Sequence, residues 1–347
     1  MVTLSPWVPA PDPADLRWIR VEESSAGAGC RTAALAMARR LEFPAARAQQ
    51  VALAVTEAAT NLVKHAREGS LLLRAHPEGD VPGIDLVTID TGPGIANLDA
   101  ALRDGTSTAG SLGIGLGAIR RAADACDVYS QPGRGTTLAA RFLARAAEAP
   151  RPSSGGQRSG EWAGLIRPIA GETECGDTYA VHRQDDVTTA LLCDGLGHGP
   201  LAAAASRAAV AALAGQAAAE PAALLERVHR HMTGTRGGAV AVVRISGEAV
   251  RFAGVGNVAG WVLAGDSRQG MVSVPGIAGQ QTRTLRQYEY QAGPGAAVIL
   301  HSDGLTSRWN ARNLPGLTGH DPLVIAAVLL GEAGVHRDDA SVLVLRP

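Results

Sequence analysis

The sequence has almost no lysine and few aromatic residues. Lys64 is the single lysine among 32 basic residues, and aromatic residues make up 3% of the 347-residue chain. We attribute such a strong preference for arginine over lysine to the base composition of the genome, and we do not interpret the arginines as a nucleic-acid site. The sequence contains no basic run and its net charge is −1, so we expect no nucleic-acid partner. With 46% apolar residues and 42 glycines, we expect globular domains whose cores consist of Ala, Val and Leu.

Cysteine is scarce as well, and signals for export or membrane insertion are lacking. The four cysteines, which include no C-x-x-C pair, are Cys30, Cys126, Cys175 and Cys193. The first fifteen residues lack the basic start and apolar core of a signal peptide. The longest apolar run, 199–219, is mostly alanine and carries Arg207, which favours an Ala-rich helix over a membrane span. We therefore expect a cytoplasmic protein with reduced cysteines and no membrane partner.

A stretch rich in Pro, Gly, Ser and charge divides the chain. Residues 146–162 have the composition of a linker and no periodicity. This predicts one domain over 1–145 and a second over 163–347. The sequence shows no internal repeat and leaves the oligomeric state open.

The two halves have different patterns of strands and helices. In the first half, strands are predicted at 16–22, 69–76, 84–90 and 135–143, and helices at 29–42, 51–66 and 113–126. This order predicts an α/β sandwich with helices on one face of a sheet. In the second half, nine predicted strands enclose two helices, at 199–219 and 221–232. That order predicts two antiparallel sheets with helices outside, so the fold class is α/β (α+β).

Four features of the first half suit nucleotide binding. In chain order they are Glu57 and Asn61 on one helix face, D-T-G-P-G at 90–94 after a strand, G-S-L-G-I-G-L-G at 110–117 before a helix, and G-R-G-T-T-L at 133–138 before a strand. The amide oxygen of Asn61 suits Mg²⁺, and Glu57 lies one turn earlier, where it could deprotonate a hydroxyl. Asp90 can accept a hydrogen bond from an exocyclic amine, and Lys64 can add charge near phosphates. No G-x-x-x-x-G-K-[ST] motif is present.

These motifs, in this order, resemble the GHKL ATPase family over roughly 15–145. Within that family, the short domain resembles the RsbT and RsbW anti-sigma-factor-type serine/threonine kinases. The resemblance implies ATP and Mg²⁺ as cofactors, with Glu57 as the catalytic base and Asn61 as the Mg²⁺ ligand. The ATP-binding residues that it implies are Asn61, Lys64, Asp90, Gly92, Gly94, Gly113, Gly115, Leu116, Gly117 and Thr136.

Aspartates recur beside strands in the second half. They occur in C-G-D-T-Y (175–179), L-L-C-D-G-L-G-H-G (191–199), I-L-H-S-D-G (299–304) and H-R-D-D-A-S (336–341). Carboxylates that converge cannot all stay ionised without cations, so the pattern predicts a metal site. Oxygen ligands favour Mg²⁺ or Mn²⁺ over zinc. Asn257 is interpreted as a turn residue.

The order of these motifs resembles the SpoIIE/RsbX group of metal-dependent, PPM-type serine/threonine phosphatases over about 163–347. The resemblance implies an α-β-β-α sandwich and two metal ions, Mn²⁺ or Mg²⁺. Asp194 would bridge the two ions and is the implied catalytic residue. The implied metal ligands are Asp177, Asp194, the carbonyl of Gly195, Asp303 and Asp338. Asp339 would support the ligands from outside.

Together the two resemblances imply a bifunctional bacterial signalling protein. A kinase domain and a phosphatase domain would act on an antagonist-type, STAS-like protein or a sigma-factor regulator. Two alternatives stay open. In one, the first domain only senses ATP and gates the phosphatase; in the other, it sequesters a partner without catalysis.

Overall fold

The computed structural model describes residues 7–23, 25–76, 81–102, 115–145, 160–282, 284–335 and 337–347. The chain divides into two compact units. One comprises Pro11–Ser159, and the other comprises Met1–Ala10 together with Gly160–Pro347. Gly113 and most of the predicted linker, residues 146–159, lie outside the described residues.

The first unit has one antiparallel sheet with helices packed on it. The chain begins with β1 (Val8–Pro9), a strand of the second unit, and a short 3-10 turn at Pro13–Asp15. The elements of the first unit are then β2 (Leu16–Arg20), α1 (Ala26–Arg40), α2 (Ala45–His65), β3 (Gly69–Ala75), β4 (Gly83–Asp90), α3 (Leu98–Leu102), α4 (Gly115–Ala122), β5 (Ala125–Gln131) and β6 (Gly135–Leu143). The strand order is β2-β3-β4-β6-β5.

The core of this unit lies between α1, α2, α4 and one face of the sheet. Small residues such as Ala54 and Ala58 line α2 and let the helix approach the sheet closely. Apolar residues that recur at helical spacing along α2 are all buried: Val51, Val55, Ala58 and Leu62. Inward-facing residues of β3 and β4, among them Leu71, Leu73 and Ile84, complete the core. The helix predicted at 51–66 is therefore confirmed, although it begins earlier, at Ala45.

A buried ion network ties three strands of this sheet together. The carboxylate of Asp85, on β4, accepts hydrogen bonds from Arg74 on β3 and Arg141 on β6. Burial alone would raise the pKa of Asp85. The positive charges of Arg141 and Arg74, with a hydrogen bond from His76, instead hold this pKa far below its ordinary value.

The second unit is a sandwich of two sheets. After β7 (Trp162–Arg167), β8 (Asp177–Gln184) and β9 (Val187–Gly195) come α5 (Pro200–Ala211), α6 (Pro221–His231), β10 (Gly238–Ser246), β11 (Ala249–Val255), β12 (Ala259–Ala264), β13 (Ser267–Met271), β14 (Ser273–Val274), β15 (Tyr288–Gln291), β16 (Ala297–His301), 3-10 turns at Ala311–Asn313 and Leu317–Gly319, α7 (Pro322–Ala333) and β17 (Ala340–Leu345). The first sheet has the order β1-β8-β9-β10-β11-β14, with β15 also on β11, and the second has the order β13-β12-β16-β17-β7.

Helices cover the outer faces of both sheets. α5 and α6 pack on the first sheet, and α7 packs on β7 and β17 of the second. The two-sheet arrangement with helices outside is therefore the one predicted from the sequence. The Ala-rich run 199–219 contributes α5, which ends at residue 211 rather than 219. Among the residues that the structure describes, no helix is both long enough and apolar enough to cross a membrane.

The helix after the glycine-rich stretch and α7 differ from the sequence-based assignment. The helix predicted at 113–126 ends at Ala122, and the chain then enters β5. Asp124 explains this, because its side chain accepts hydrogen bonds from the backbone N–H of Leu143, at 2.7 Å, and from Arg47. α7 was not predicted, because its run of apolar residues has no helical periodicity and ten of its twelve residues are buried.

The first residues belong to the second unit, which corrects the predicted boundary of 1–145. Val8 and Pro9 pair with Val181 and Ala180 of β8, and the N–H of Ala10 donates to the carbonyl of Tyr179 at 2.8 Å. Trp7 packs against the core beneath α5 and α6. Strand pairing over so few residues leaves no periodic pattern in the sequence, so this position could not be read from it.

Candidate active sites

The polar face of α2 forms one side of the first candidate site. Glu57 and Asn61 are both half-buried and lie one turn apart, while Lys64 is exposed in the last turn. A Cβ atom on Gly115, the first residue of α4, would lie 3.0 Å from Oδ1 of Asn61. The structure therefore brings the predicted metal-binding asparagine against the start of the glycine-rich helix.

Asp90 lies where β4 ends, near the last residue of α2. Its Oδ1 accepts a hydrogen bond from the N–H of Gly92 at 2.7 Å. Burial raises the pKa of Asp90, although the N–H groups of Gly92 and Thr136 and the nearby His65 act in the other direction. Gly92 leaves no room for a side chain, because a Cβ atom would lie 2.6 Å from the carbonyl oxygen of His65.

Two further glycines allow the backbone segments around Asp90 to cross closely. Gly94 has φ +69°, and a Cβ atom there would lie 2.0 Å from the carbonyl oxygen of Gln131. Gly135 has φ +103°, and its Cβ would lie 1.9 Å from the carbonyl oxygen of Asp90. Both positions therefore require glycine for conformation and for space.

A serine that the sequence analysis missed links these segments. The Oγ of Ser130, on β5, accepts a hydrogen bond from the N–H of Ile95 at 2.8 Å and lies 2.9 Å from Oγ1 of Thr136. Thr136, one of the ATP-binding residues that the resemblance implies, is thereby held beside Asp90. A single serine in a strand has no spacing signal that would reveal this role.

The remaining predicted residues of this site lie at the start of α4 or outside the described part of the chain. Leu116 packs against the core of the first unit, and Gly117 is buried. Gly113, which the resemblance implies as a third ATP-binding glycine beside Gly115 and Gly117, is among the residues not described. Glu57 makes no hydrogen bond to any residue that the structure describes, so its carboxylate is free to accept a hydrogen bond from a bound hydroxyl group.

Carboxylates converge at one end of the second unit. Asp177 and Asp194 are cross-strand partners at the ends of β8 and β9. Asp303 and Asp338 come from two other segments and are exposed at the rim. Their segments are pressed together at Gly304, where a Cβ atom would lie 1.9 Å from the backbone oxygen of Asp339. Aspartates far apart in sequence therefore meet, with Asp177 buried at the floor.

These carboxylates raise one another's pKa. Burial, together with the charges of Asp339 and Asp303, raises the pKa of Asp177 to about 7, although the Ser302 hydroxyl acts against this. Burial and the charges of Asp177, Asp303 and Asp338 raise the pKa of Asp194 to about 9. The site therefore has an excess of negative charge that protons or cations must balance.

Some oxygen atoms of the cluster have ligand character. Oδ2 of Asp177 is buried and has no hydrogen-bond partner among the described residues. Asp194 instead lies close enough to Asp303 for the two carboxyl groups to share a proton. In the described part of the chain, no three His, Cys, Asp or Glu side chains are already arranged as a metal site. A carboxyl pair that shares a proton without metal, and releases that proton to water when a cation binds, is consistent with both facts, so the donor set fits hard divalent ions.

Neighbouring residues hold the cluster in place. The buried Asp339 accepts hydrogen bonds from the N–H groups of Ile169 and Gly176, both at 2.7 Å, which agrees with its predicted supporting role. Asn257 was interpreted only as a turn residue, yet its amide donates to Oδ2 of Asp303 at 2.8 Å. Its partner lies 46 residues away, so the sequence contained no signal for this contact.

Both units match known families. Residues 22–142 match the histidine kinase-like ATPase domain family. Residues 184–347 match the family of stage II sporulation protein E (SpoIIE).

Similar proteins include two from Bacillus subtilis (strain 168). The serine/threonine-protein kinase RsbT is 30% identical over 104 residues, which are 30% of this chain and 78% of RsbT. The phosphoserine phosphatase RsbX is 27% identical over 155 residues, which are 43% of this chain and 73% of RsbX. A solved structure of RsbX in complex with magnesium has a TM-score of 0.48 and 20% identity, and covers 53% of this chain and 92% of that one. The chain therefore belongs to the RsbT-like histidine kinase-like ATPases through its first unit, and its second unit matches the SpoIIE family.

Proposed function

We propose that the second unit removes phosphate from phosphoserine or phosphothreonine of a partner protein, using two divalent cations. The observation that carries this proposal is the meeting of Asp177 and Asp194 across β8 and β9, with raised pKa values and an unpartnered buried oxygen. Such a group is stable in its ionised form only with cations bound.

The ligands of these cations would be Asp177, Asp194, Asp303, Asp338 and the carbonyl oxygen of Gly195. When bound, Mg²⁺ or Mn²⁺ supplies a hydroxide at neutral pH and balances phosphoryl charge. Asp194 would contact both ions, because it lies between the buried Asp177 and the exposed Asp303. Asp339 and Asn257 would orient the segments that carry the ligands.

For the first unit, we propose phosphoryl transfer from ATP to a protein serine or threonine. Asn61 would hold the Mg²⁺ of ATP, and Lys64 would contact phosphate. Glu57 would accept the proton of the attacking hydroxyl. Asp90 would accept a hydrogen bond from the adenine amine, beside Thr136, with Gly92 and Gly94 allowing close approach and Gly113, Gly115 and Gly117 covering the phosphates.

Opposing activities in one chain suggest one shared partner. RsbT is a kinase and RsbX a phosphatase of the same bacterium. We propose that this chain combines both actions on an antagonist-type, STAS-like protein or on a regulator of a sigma factor. An ATP sensor that gates the phosphatase, or a sequestering module, would leave phosphate transfer absent.

The test is to remove each activity separately in the full chain. The Asp194→Ala variant, given Mg-ATP and the bound partner, should accumulate phosphopartner. The Glu57→Ala variant should strip phosphate from a prephosphorylated partner in the presence of Mg²⁺ or Mn²⁺. Phosphopartner is measured against time for both variants and wild type.

Two results would contradict the proposal. If Asp194→Ala produces no phosphopartner with a partner shown to bind, the first unit is a sensor or sequestering module. If wild type and Glu57→Ala both fail to dephosphorylate a phosphopartner that they bind, the metal cluster has been misassigned.

A further inference from the structure

The proposed phosphatase site has no spare positive charge. Two divalent cations and the four carboxylates of Asp177, Asp194, Asp303 and Asp338 roughly cancel. A phosphomonoester dianion then approaches a surface of about zero net charge. Tight and oriented binding of its oxygens needs a further cation.

Two basic side chains near this end are already paired. His198 lies 3.0 Å from the carboxylate of Glu172, and Arg207 lies 2.8 Å from that of Glu174. Arg236 is different. Its side chain is exposed, and its guanidinium has no hydrogen-bond or ion-pair partner among the residues that the structure describes.

The backbone places Arg236 beside the cluster. It lies just before β10, whose residues Gly238 and Ala239 pair with Gly195 and Asp194. The N–H of Leu196 donates to the carbonyl of Gly237 at 3.0 Å, which fastens the turn that follows Asp194 to the segment of Arg236.

The guanidinium of Arg236 lies over that turn. A Cβ atom on Gly197, which has φ +89°, would lie 3.0 Å from Nη1 of Arg236. The backbone of Arg236 is held in turn, because its carbonyl accepts a hydrogen bond from Nε2 of Gln280 at 2.6 Å. A fixed backbone with an unpaired guanidinium is the arrangement of an anion-binding residue.

We propose that Arg236 binds the phosphoryl oxygens of the phosphoprotein substrate at the carboxylate cluster. This inference rests on the proposed phosphatase function. The planar guanidinium donates two parallel hydrogen bonds to phosphate, which a lysine in its place would not. Arg236 thus selects a phosphoryl dianion and orients it toward the metal ligands.

Inorganic phosphate is the probe, and calorimetry on the full chain with Mg²⁺ is the measurement. Arg236→Ala should weaken phosphate binding about 10- to 100-fold, since a charge-assisted hydrogen-bonded pair is lost. Arg236→Lys should bind with intermediate affinity. Asp194→Asn, which lacks the proposed shared metal ligand, should not bind phosphate.

A matched control is Arg251→Ala. Arg251 is also a partly exposed arginine of this sheet, but it forms ion pairs with Glu220 and Glu289. On β11 it lies opposite Arg244, which is six residues along β10 from Gly238. Its removal should leave the affinity for phosphate unchanged. Mg²⁺ binding measured without phosphate should be alike in wild type, Arg236→Ala and Arg251→Ala.

Hydrolysis of an aryl phosphate separates this inference from the function on which it rests. We expect a raised KM for Arg236→Ala, in step with its weaker phosphate binding. If the wild-type chain binds phosphate and hydrolyses the aryl phosphate, and Arg236→Ala has the same phosphate affinity and the same KM, the role of Arg236 alone is overturned. Its role is also overturned if phosphate binding is weakened in Arg337→Ala, which replaces the arginine next to Asp338, and is not weakened in Arg236→Ala. A wild-type chain that neither binds phosphate nor cleaves the ester overturns the phosphatase proposal, and this inference with it.

Discussion

Asp177 and Asp194 hold protons in the metal-free fold at a pH where they would be ionised in the unfolded chain. Their pKa values are raised from an ordinary 3.8 to about 7 and about 9. Between 3.8 and those values the folded state binds more protons than the unfolded state, so stability falls as pH rises. The carboxylates thus make the metal-free unit least stable under the conditions in which it would work.

We predict that chelator makes the stability of the second unit strongly pH-dependent. In chelator, its melting temperature should fall as pH rises from about 5 to about 9. Saturating Mg²⁺ should remove most of this dependence, because bound cations replace the protons. Thermal unfolding followed by circular dichroism measures both. The Asp177→Asn variant should show a smaller slope in chelator, and a slope equal to that of wild type would contradict the argument.

The contact between Asn61 and Gly115 leads to a second prediction. Asn61→Ala should weaken Mg-ATP binding, because the amide oxygen proposed to hold Mg²⁺ is lost. Glu57→Ala should keep ATP affinity but slow phosphoryl transfer by about 10²- to 10⁴-fold, the usual contribution of a positioned base. Calorimetry and single-turnover transfer separate the two variants. Equal ATP affinity for wild type and Asn61→Ala would refute the assignment of Asn61.

At the scale of elements, the Asp85 network predicts the behaviour of the first sheet. Asp85→Asn leaves the buried Arg74 without its full counter-charge, which should cost about 3–5 kcal/mol of stability. The double variant Arg74→Met with Asp85→Leu removes both charges and should be less destabilised than the single variant. Chemical denaturation of the first unit tests this order, and the reverse order would show that the ion pair itself stabilises the sheet.

The elements that could be predicted from the sequence are those with regular patterns. α2 was recognisable because its apolar residues recur at helical spacing, and the aspartates of the second unit because each lies beside an apolar strand. α7 and β5 were not, since α7 is apolar on every face and the end of α4 depends on Asp124. Contacts of Ser130 and Asn257 connect distant segments and are decided by tertiary packing alone.

At the scale of the molecule, β1 makes the first unit an insertion within the second. β1 pairs with β8, the first unit then runs from Pro11 to Ser159, and the second unit resumes at Gly160. A cut in the segment 146–159 would therefore leave one strand of the phosphatase sheet on the other fragment. The two units differ from the two predicted halves in the first ten residues, which belong to the second unit.

Trp7 provides a test of this arrangement. Trp7→Ala should cost the second unit about 2 kcal/mol, the value of burying much of a large apolar side chain. Its melting temperature should then fall by about 4–8 °C, with that of the first unit unchanged. Asp12→Ala, an exposed change just past β1, is the control. If the melting temperature of the second unit is unchanged in Trp7→Ala, the segment around β1 contributes nothing to the stability of that unit.

Lys64 has a practical consequence because no other lysine exists in the chain. A lysine-specific protease has a single peptide bond to cut, after Lys64 in the last turn of α2. An amine-directed dye likewise has one side chain to modify, three residues from Asn61. Cleavage rate and dye fluorescence thus become reporters of helix opening and nucleotide occupancy in the unaltered sequence, without an engineered label.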